Sequence, residues 1–248
     1  MSLAASSGMK DVQLGILCKN KEAYDAYVGS STASPTSDPT YMDQLKMAMK
    51  HRLDLQDKNG NTALHVAVMK GGVFADSEVF LSQYILDQIR DYAMIGSKDI
   101  QNAAGNTPLM MAAQYGRLDD IELLLAGGSR LEAEKNTQNN NGDSAIMIAA
   151  RTGNIAVVHK IDERGVGKVD LNIKNRVYNQ TALMIAAKAG YIDIVRFLIN
   201  KGADPNIKGS LGKSALDFAV SNGHPSIAHF LMDRGAAYRL RGSQVSST

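Results

Sequence analysis

Tryptophan is absent, aromatic residues make up only 6% of the chain, and cysteine occurs once, at Cys18. A single thiol excludes an intrachain disulfide and any cysteine-based metal cluster, and it fits a reducing compartment. Few aromatics argue against a surface on which single-stranded bases stack. Apolar runs are short, and none approaches the roughly 20 residues that cross a bilayer. Residues 1–10 lack the basic patch and apolar stretch of a secretory signal. Neither charge is in excess: 27 basic side chains face 25 acidic ones, a net charge of +2. That balance gives no electrostatic footprint for nucleic acid or for an anionic membrane. The expectation is an intracellular chain, cytoplasmic rather than nuclear, because Arg239-Leu-Arg241 is too short a basic cluster. At 248 residues it is long enough to bury a sizeable core.

What the chain does have is internal repetition. Five segments align: Gly60-Asn-Thr-Ala-Leu-His-Val-Ala67, Gly105-Asn-Thr-Pro-Leu-Met-Met-Ala112, Gly142-Asp-Ser-Ala-Ile-Met-Ile-Ala149, Asn179-Gln-Thr-Ala-Leu-Met-Ile-Ala186 and Gly212-Lys-Ser-Ala-Leu-Asp-Phe-Ala219. Their hydroxyl residues, Thr62, Thr107, Ser144, Thr181 and Ser214, recur at intervals of 45, 37, 37 and 33 residues. Such a period marks an array of small supersecondary units.

Each part of the motif has a mechanical reason. Gly, or Asn179 in the fourth segment, tolerates the positive φ that turns the chain before a helix. The hydroxyl two residues later is placed to cap that helix by accepting a hydrogen bond from a free backbone N–H. Pro108 falls at the first helical position, where its missing N–H costs nothing. Leu64, Leu109, Ile146, Leu183 and Leu216, with the alanines after them, make a narrow apolar face against which a neighbour can approach closely. Gly71, Gly116, Gly153, Gly190 and Gly223 are spaced to end the first helix. A second helix follows, with Ile121, Leu124 and Leu125 in one repeat and Ile194, Val195, Leu198 and Ile199 in another. It is expected to stop at Gly128, Gly165, Gly202 and Gly235.

On these residues the chain resembles the ankyrin-repeat family over residues 57–237, most closely over 181–206, which ends Gly202-Ala-Asp-Pro-Asn206. The resemblance implies an all-α solenoid of stacked helix–turn–helix units joined by hairpin-like loops. The expected units are 57–101, 102–138, 139–174, 175–208 and 209–237. Residues 10–56 read as a degenerate N-terminal capping repeat, 1–9 as a leader and 238–248 as a polar tail. The chain departs from the family pattern in three ways. The histidine of the motif survives only as His65, with Met110, Met147, Met184 and Asp217 elsewhere, so its hydrogen-bond bracing is expected to be weaker, with Met filling the space. The first repeat is longer, with a second helix from 77 to about 92. The two 37-residue intervals carry extra residues near 135–141 and 165–178.

Motifs that hint at chemistry do not hold up. Gly209-Ser-Leu-Gly-Lys-Ser214 lacks the upstream Gly of a phosphate loop, since position 207 is Ile. Asp57-Lys-Asn-Gly-Asn61 begins like a calcium loop but has Thr62 and Val68 where Gly and Glu are required. His224 and His229 are five residues apart and do not share a helix face. Asn179-Gln-Thr181 is a glycosylation sequon whose hydroxyl is expected to serve as a cap. No nucleophile–base pair emerges, so no catalytic residue, cofactor or metal is assigned.

The resemblance implies instead a non-catalytic scaffold that binds a protein partner through its hairpin tips and the exposed ends of its first helices, and that is monomeric when unbound. Carried over by position, the contact residues are Lys58, Asn59 and Asn61, then Asn106, then Asn140, Asn141 and Asp143. They continue as Val177, Tyr178 and Gln180, then Leu211 and Lys213. The first-helix ends add Met69 and Lys70, Gln114 and Tyr115, Arg151, and Lys188. Tyr115, Arg151 and Tyr178 are expected at the centre, because Tyr and Arg dominate interface energetics. Two alternatives are a targeting module of a larger protein, and an enzyme whose site lies in the N-terminal segment or the long first-repeat insertion.

Overall fold

The structure, a computed structural model, describes residues 56–70, 97–126, 134–163 and 168–236. The expected capping repeat, the long helix after residue 77, Cys18, Gly71, Gly128, Gly165 and the tail lie outside the described residues. The chain divides into two compact units, 1–134 and 135–248. The first holds α1 (Ala63–Lys70), a 3₁₀ turn at Ser97–Asp99, α2 (Pro108–Tyr115) and α3 (Leu118–Leu125). The second holds α4 (Ala145–Thr152), α5 (Ile155–Glu163), α6 (Ala182–Ala189), α7 (Ile192–Asn200), a 3₁₀ turn at Ser210–Gly212, α8 (Ala215–Ser221) and α9 (Pro225–Asp233). The described residues contain no strand, and the fold class is an all-α repeat solenoid.

The first helices start where the hydroxyl residues place them. Thr107 is extended, and its hydroxyl oxygen accepts from the Met110 N–H at 3.4 Å, with Pro108 opening the helix. Thr181 accepts from the Met184 N–H at 3.3 Å in the same way. Ser214 goes further: it accepts from the Asp217 N–H, and the Asp217 carboxylate accepts from the Ser214 N–H at 2.7 Å. That reciprocal capping box satisfies two backbone donors at once. Ser144 departs from the expectation, since its buried hydroxyl makes no hydrogen bond among the described residues; nothing in the structure explains this. Gly116, Gly153 and Gly190 close α2, α4 and α6 in the left-handed conformation, as the spacing predicted.

His65 braces the first unit. Its Nε2 lies 2.8 Å from the Asn106 carbonyl, which can only accept, so Nε2 carries the proton. Nδ1 then accepts from the Thr62 hydroxyl at 2.8 Å. Met110, Met147 and Met184 occupy the same register and are fully buried, so packing replaces hydrogen bonding there. Asp217 is different: in the place of the histidine its carboxylate completes a capping box with Ser214.

Helices this short are unstable alone, because too few hydrogen bonds follow a costly nucleus. They persist by covering one another. In the first unit α1 lies on α2 and α2 on α3. In the second, α4, α6 and α8 lie side by side, each backed by its own second helix, α5, α7 or α9. Ile146, Leu183 and Leu216 are removed from water between them, and Ala149, Ala186 and Ala219 keep the first helices close. Each large aliphatic side chain so buried contributes about 1.5–3 kcal/mol.

The hairpins stack as well. The Ala103 N–H donates to the Asn59 carbonyl at 2.9 Å, Arg176 N–H to Asn141 at 2.8 Å and Ser210 N–H to Tyr178 at 3.1 Å. The approach is close enough that a Cβ on Gly142, whose φ is +77°, would sit 2.3 Å from the Arg176 nitrogen. A Cβ on Gly202, at φ +92°, meets nothing within 4 Å.

These two glycines separate strain from clash. Gly202→Ala is expected to cost about 1–2 kcal/mol, the penalty of a left-handed alanine. Gly142→Ala adds about 1–3 kcal/mol of overpacking against a backbone that cannot step aside. Equal losses in urea unfolding would show that hairpin stacking is not tight. A second expectation concerns His65, whose pKa burial lowers below the ordinary 6.5, against the opposing pull of the Asn106 carbonyl and the Asp57 charge. The unfolded chain takes up a proton near the ordinary value while the fold resists it. The contribution is therefore complete above about pH 6.5 and is lost as pH falls below it. An NMR titration of the His65 ring should give a midpoint under 6.5, and His65→Gln should flatten the stability decline between pH 7.5 and 5.5.

Candidate partner-binding surface

Each of the first four hairpins opens with an Asp or Asn whose side chain shapes the turn. Asp57 Oδ1 accepts from the N–H groups of Asn59 and Asn61, both at 2.8 Å. Asn102 does the same for Ala104 and Asn106, Asn139 for Asn141 and Asp143, and Asn175 for Tyr178 and Gln180. The Asn61 N–H foremost, with that of Asn59, holds the Asp57 carboxyl below its ordinary pKa. The sequence reading missed these four residues. Their signal was present: an Asp or Asn stands five residues ahead of the cap in three repeats and six ahead in the fourth, a residue type that favours an Asx turn.

The same polar groups tie one hairpin to the next. Asn102 Nδ2 donates to Asn61 Oδ1 at 2.9 Å, and Asn175 Nδ2 donates to Asp143 Oδ1 at 3.0 Å. Asp143 also takes Arg151, whose Nη2 is 2.8 Å from Oδ2, so both oxygens of a buried carboxylate are occupied. Gln138 Nε2 bridges the carbonyls of Gly142 and Lys174, and Lys174 Nζ reaches the carbonyl of Lys208 at 2.8 Å.

This framework sorts the residues expected at the surface. Asn61, Asp143 and Gln180 are buried within the hairpins, which corrects their assignment as contact residues. Their side chains sit beneath the tips, the first two serving to join neighbouring repeats. In the first unit Lys58, Asn59, Met69, Gln114 and Tyr115 are exposed and Asn106 is half-buried; the Lys70 side chain lies outside the described residues. In the second unit Asn140, Asn141, Arg151, Val177, Tyr178, Lys188 and Leu211 are exposed, and Lys213 is half-buried beside the Phe218 ring. Of the three expected central residues, Tyr115 belongs to the first unit and Arg151 and Tyr178 to the second.

The second unit concentrates apolar surface at two adjoining tips. The fourth hairpin has one more residue between its paired ends, Asn175 and Gln180, than the others. It carries Val177 and Tyr178, 53% and 59% exposed, with Asn179 at φ 49° closing the turn as expected. Beside it, bonded through the Ser210 N–H to the Tyr178 carbonyl, stands the fifth tip. Gly209 replaces the Asp or Asn there, so no side chain shapes the turn. Leu211 takes a left-handed conformation at φ 61° with 94% of its surface exposed. A leucine in that conformation is strained by roughly 1–2 kcal/mol.

A cleft of about 190 Å³ lies among Lys168, Val169, Asp170, Leu171, Asn172 and Lys201, below the roughly 300 Å³ at which small-molecule pockets begin. Nearby, Lys201 is held above its ordinary pKa, chiefly by the hydrogen bond and charge of Asp162 at 2.6 Å. Among the described residues no group of His, Cys, Asp or Glu is placed to hold a metal. No described helix is long and apolar enough to cross a membrane.

A family model described as ankyrin repeats, in three copies, matches the chain in overlapping placements over residues 33–134, 78–165, 129–209 and 161–241. No curated protein matches the chain. Capped first helices, left-handed glycine stops, paired second helices and stacked hairpins agree with that match across both units. The chain belongs to the ankyrin-repeat family.

Proposed function

We propose that the chain is a non-catalytic scaffold that holds a protein partner on its hairpin tips and first-helix ends. Ankyrin repeats are in general protein–protein interaction modules. The observation that carries the reading is Leu211. A nearly fully exposed leucine in a left-handed turn contributes nothing to the core and adds backbone strain, and it stands beside exposed Tyr178 and Val177. Strain of this kind concentrates at ligand-contacting positions. Binding of this kind requires no cofactor, metal, nucleic acid or membrane. It relies on a rigid, pre-organised surface, which limits the entropy lost on association. The working setting is intracellular, cytoplasmic rather than nuclear, with the unbound chain a monomer.

Leu211→Asn separates function from folding. Asn tolerates the left-handed region, so the variant is expected to gain up to about 1 kcal/mol of stability. The same variant, and more so Val177→Ser/Tyr178→Ser/Leu211→Ser, should lose a partner that the wild-type chain retains at stoichiometric level in a pull-down read by mass spectrometry. Undiminished capture by the triple variant, or turnover of a small molecule by the chain, would overturn the reading.

A further inference from the structure

The charges of the second unit are segregated in a way the balanced composition conceals. On the hairpin tips and first-helix ends the exposed charges are basic, Arg151, Lys174, Arg176, Lys188 and Lys208, while the exposed Asp170 and Asp204 stand earlier, between α5 and the fourth hairpin and between α7 and the fifth. Of the carboxylates on that side, Asp143 is taken by Arg151 and Asn175, and Asp217, within its capping box with Ser214, lies 3.9 Å from Lys208 Nζ. The second-helix side mixes both signs, with Asp162 paired to Lys201, Glu163 beside His159, and Asp193 near Arg196 in α7. Net charge therefore hides a one-sided positive face.

The repeat register shows where that charge is uncompensated. Arg151 and Lys188 occupy the same place, seven residues after their cap hydroxyls. Beneath Arg151, one residue before its cap, is Asp143, and the pair neutralises itself. At the matching place in the next repeat is Gln180, and in the last it is Lys213. Positive charge is thus balanced at the third repeat and met in part by Asp217 at the fifth, and it is in excess at the fourth, whose tip carries Val177 and Tyr178 and adjoins Leu211. Arg176 and Lys188, both exposed, make no ion pair among the described residues.

Resting on the protein-binding reading above, we infer that the partner presents an acidic segment with an apolar anchor. An aliphatic or aromatic side chain of that segment packs on Val177, Tyr178 and Leu211, and its flanking carboxylates face Arg176, Lys188 and Lys213. Complementary charge of this kind sets register and speeds encounter, while the buried apolar anchor supplies most of the affinity. Phosphate of a nucleic acid would answer the charge equally well. It would leave two aliphatic side chains against a sugar–phosphate backbone, with Tyr178 the one aromatic side chain at these two tips for stacking.

A displayed library of random twelve-residue peptides tests this, selected on the full chain and counter-selected on the Tyr178→Ser/Leu211→Ser variant. The expected survivors carry Asp or Glu on both sides of a Phe, Leu, Ile or Trp. Their affinity should fall about tenfold or more in Arg176→Glu/Lys188→Glu, whose melting temperature serves as the folding control, and should fall with added salt. Survivors rich in Lys or Arg, survivors without charge bias, or no survivors at all would overturn the inference. So would binding of a polyuridylate oligomer more tightly than any survivor at the same salt. The pull-down separates the two levels. If the charge-reversed chain keeps its partner and the Val177/Tyr178/Leu211 serine variant loses it, the acidic-segment inference fails and the protein-binding reading stands. If both variants keep it, the reading of the tips is itself wrong.

Discussion

A helix of seven to nine residues does not survive alone in water, and every described α-helix of this chain has that length. Each must therefore obtain its burial from the repeat beside it. That constraint explains the composition of the first helices, where a large aliphatic residue is followed by alanines that let the next backbone come close. It also explains why hairpin stacking is so economical of space. A neighbouring nitrogen occupies the position a Cβ would need at Gly142, and at Gly60 the Ala103 nitrogen would lie 2.5 Å from one.

Stacking by polar groups demands that they be satisfied, since an unpaired buried amide or carboxylate costs roughly 1–3 kcal/mol. The chain meets that demand with a ladder of side chains. Asp or Asn closes each of the first four turns, Asn61 and Asp143 receive the amide of the following repeat, and Gln56 and Gln138 each bridge two carbonyls. Such residues look like surface polar groups in a linear sequence, yet Asn61, Asn139, Asp143 and Asn175 are buried. Once they are committed, the outermost residues of the tips and the ends of the first helices stay exposed.

The fifth hairpin shows the cost of breaking the pattern. With Gly209 in place of the turn-forming Asp or Asn, no side chain holds the loop, and Leu211 itself adopts the left-handed conformation. In the adjoining fourth hairpin the extra residue displays Val177 and Tyr178. Local backbone strain and exposed apolar surface thus coincide at neighbouring tips, beside Arg176 and Lys188, which make no ion pair among the described residues. Regularity supports the fold, and departures from it mark the surface with a distinct chemistry.

The sequence by itself determined the repeat, its register, the cap at Thr107, Thr181 and Ser214, the glycine stops and the left-handed Asn179, because each depends on interactions within a few residues along the chain. It also pointed to Tyr178 and Leu211 as tip residues by position alone. Only the tertiary structure decided that Asn61, Asp143 and Gln180 are buried, that Arg151 is spent on Asp143, and that Leu211 is strained and almost bare. Those properties depend on atoms supplied by another part of the fold, often the next repeat some 32 to 41 residues away. Periodicity states that two repeats are alike, but which polar group faces inward depends on what the neighbour presents to it.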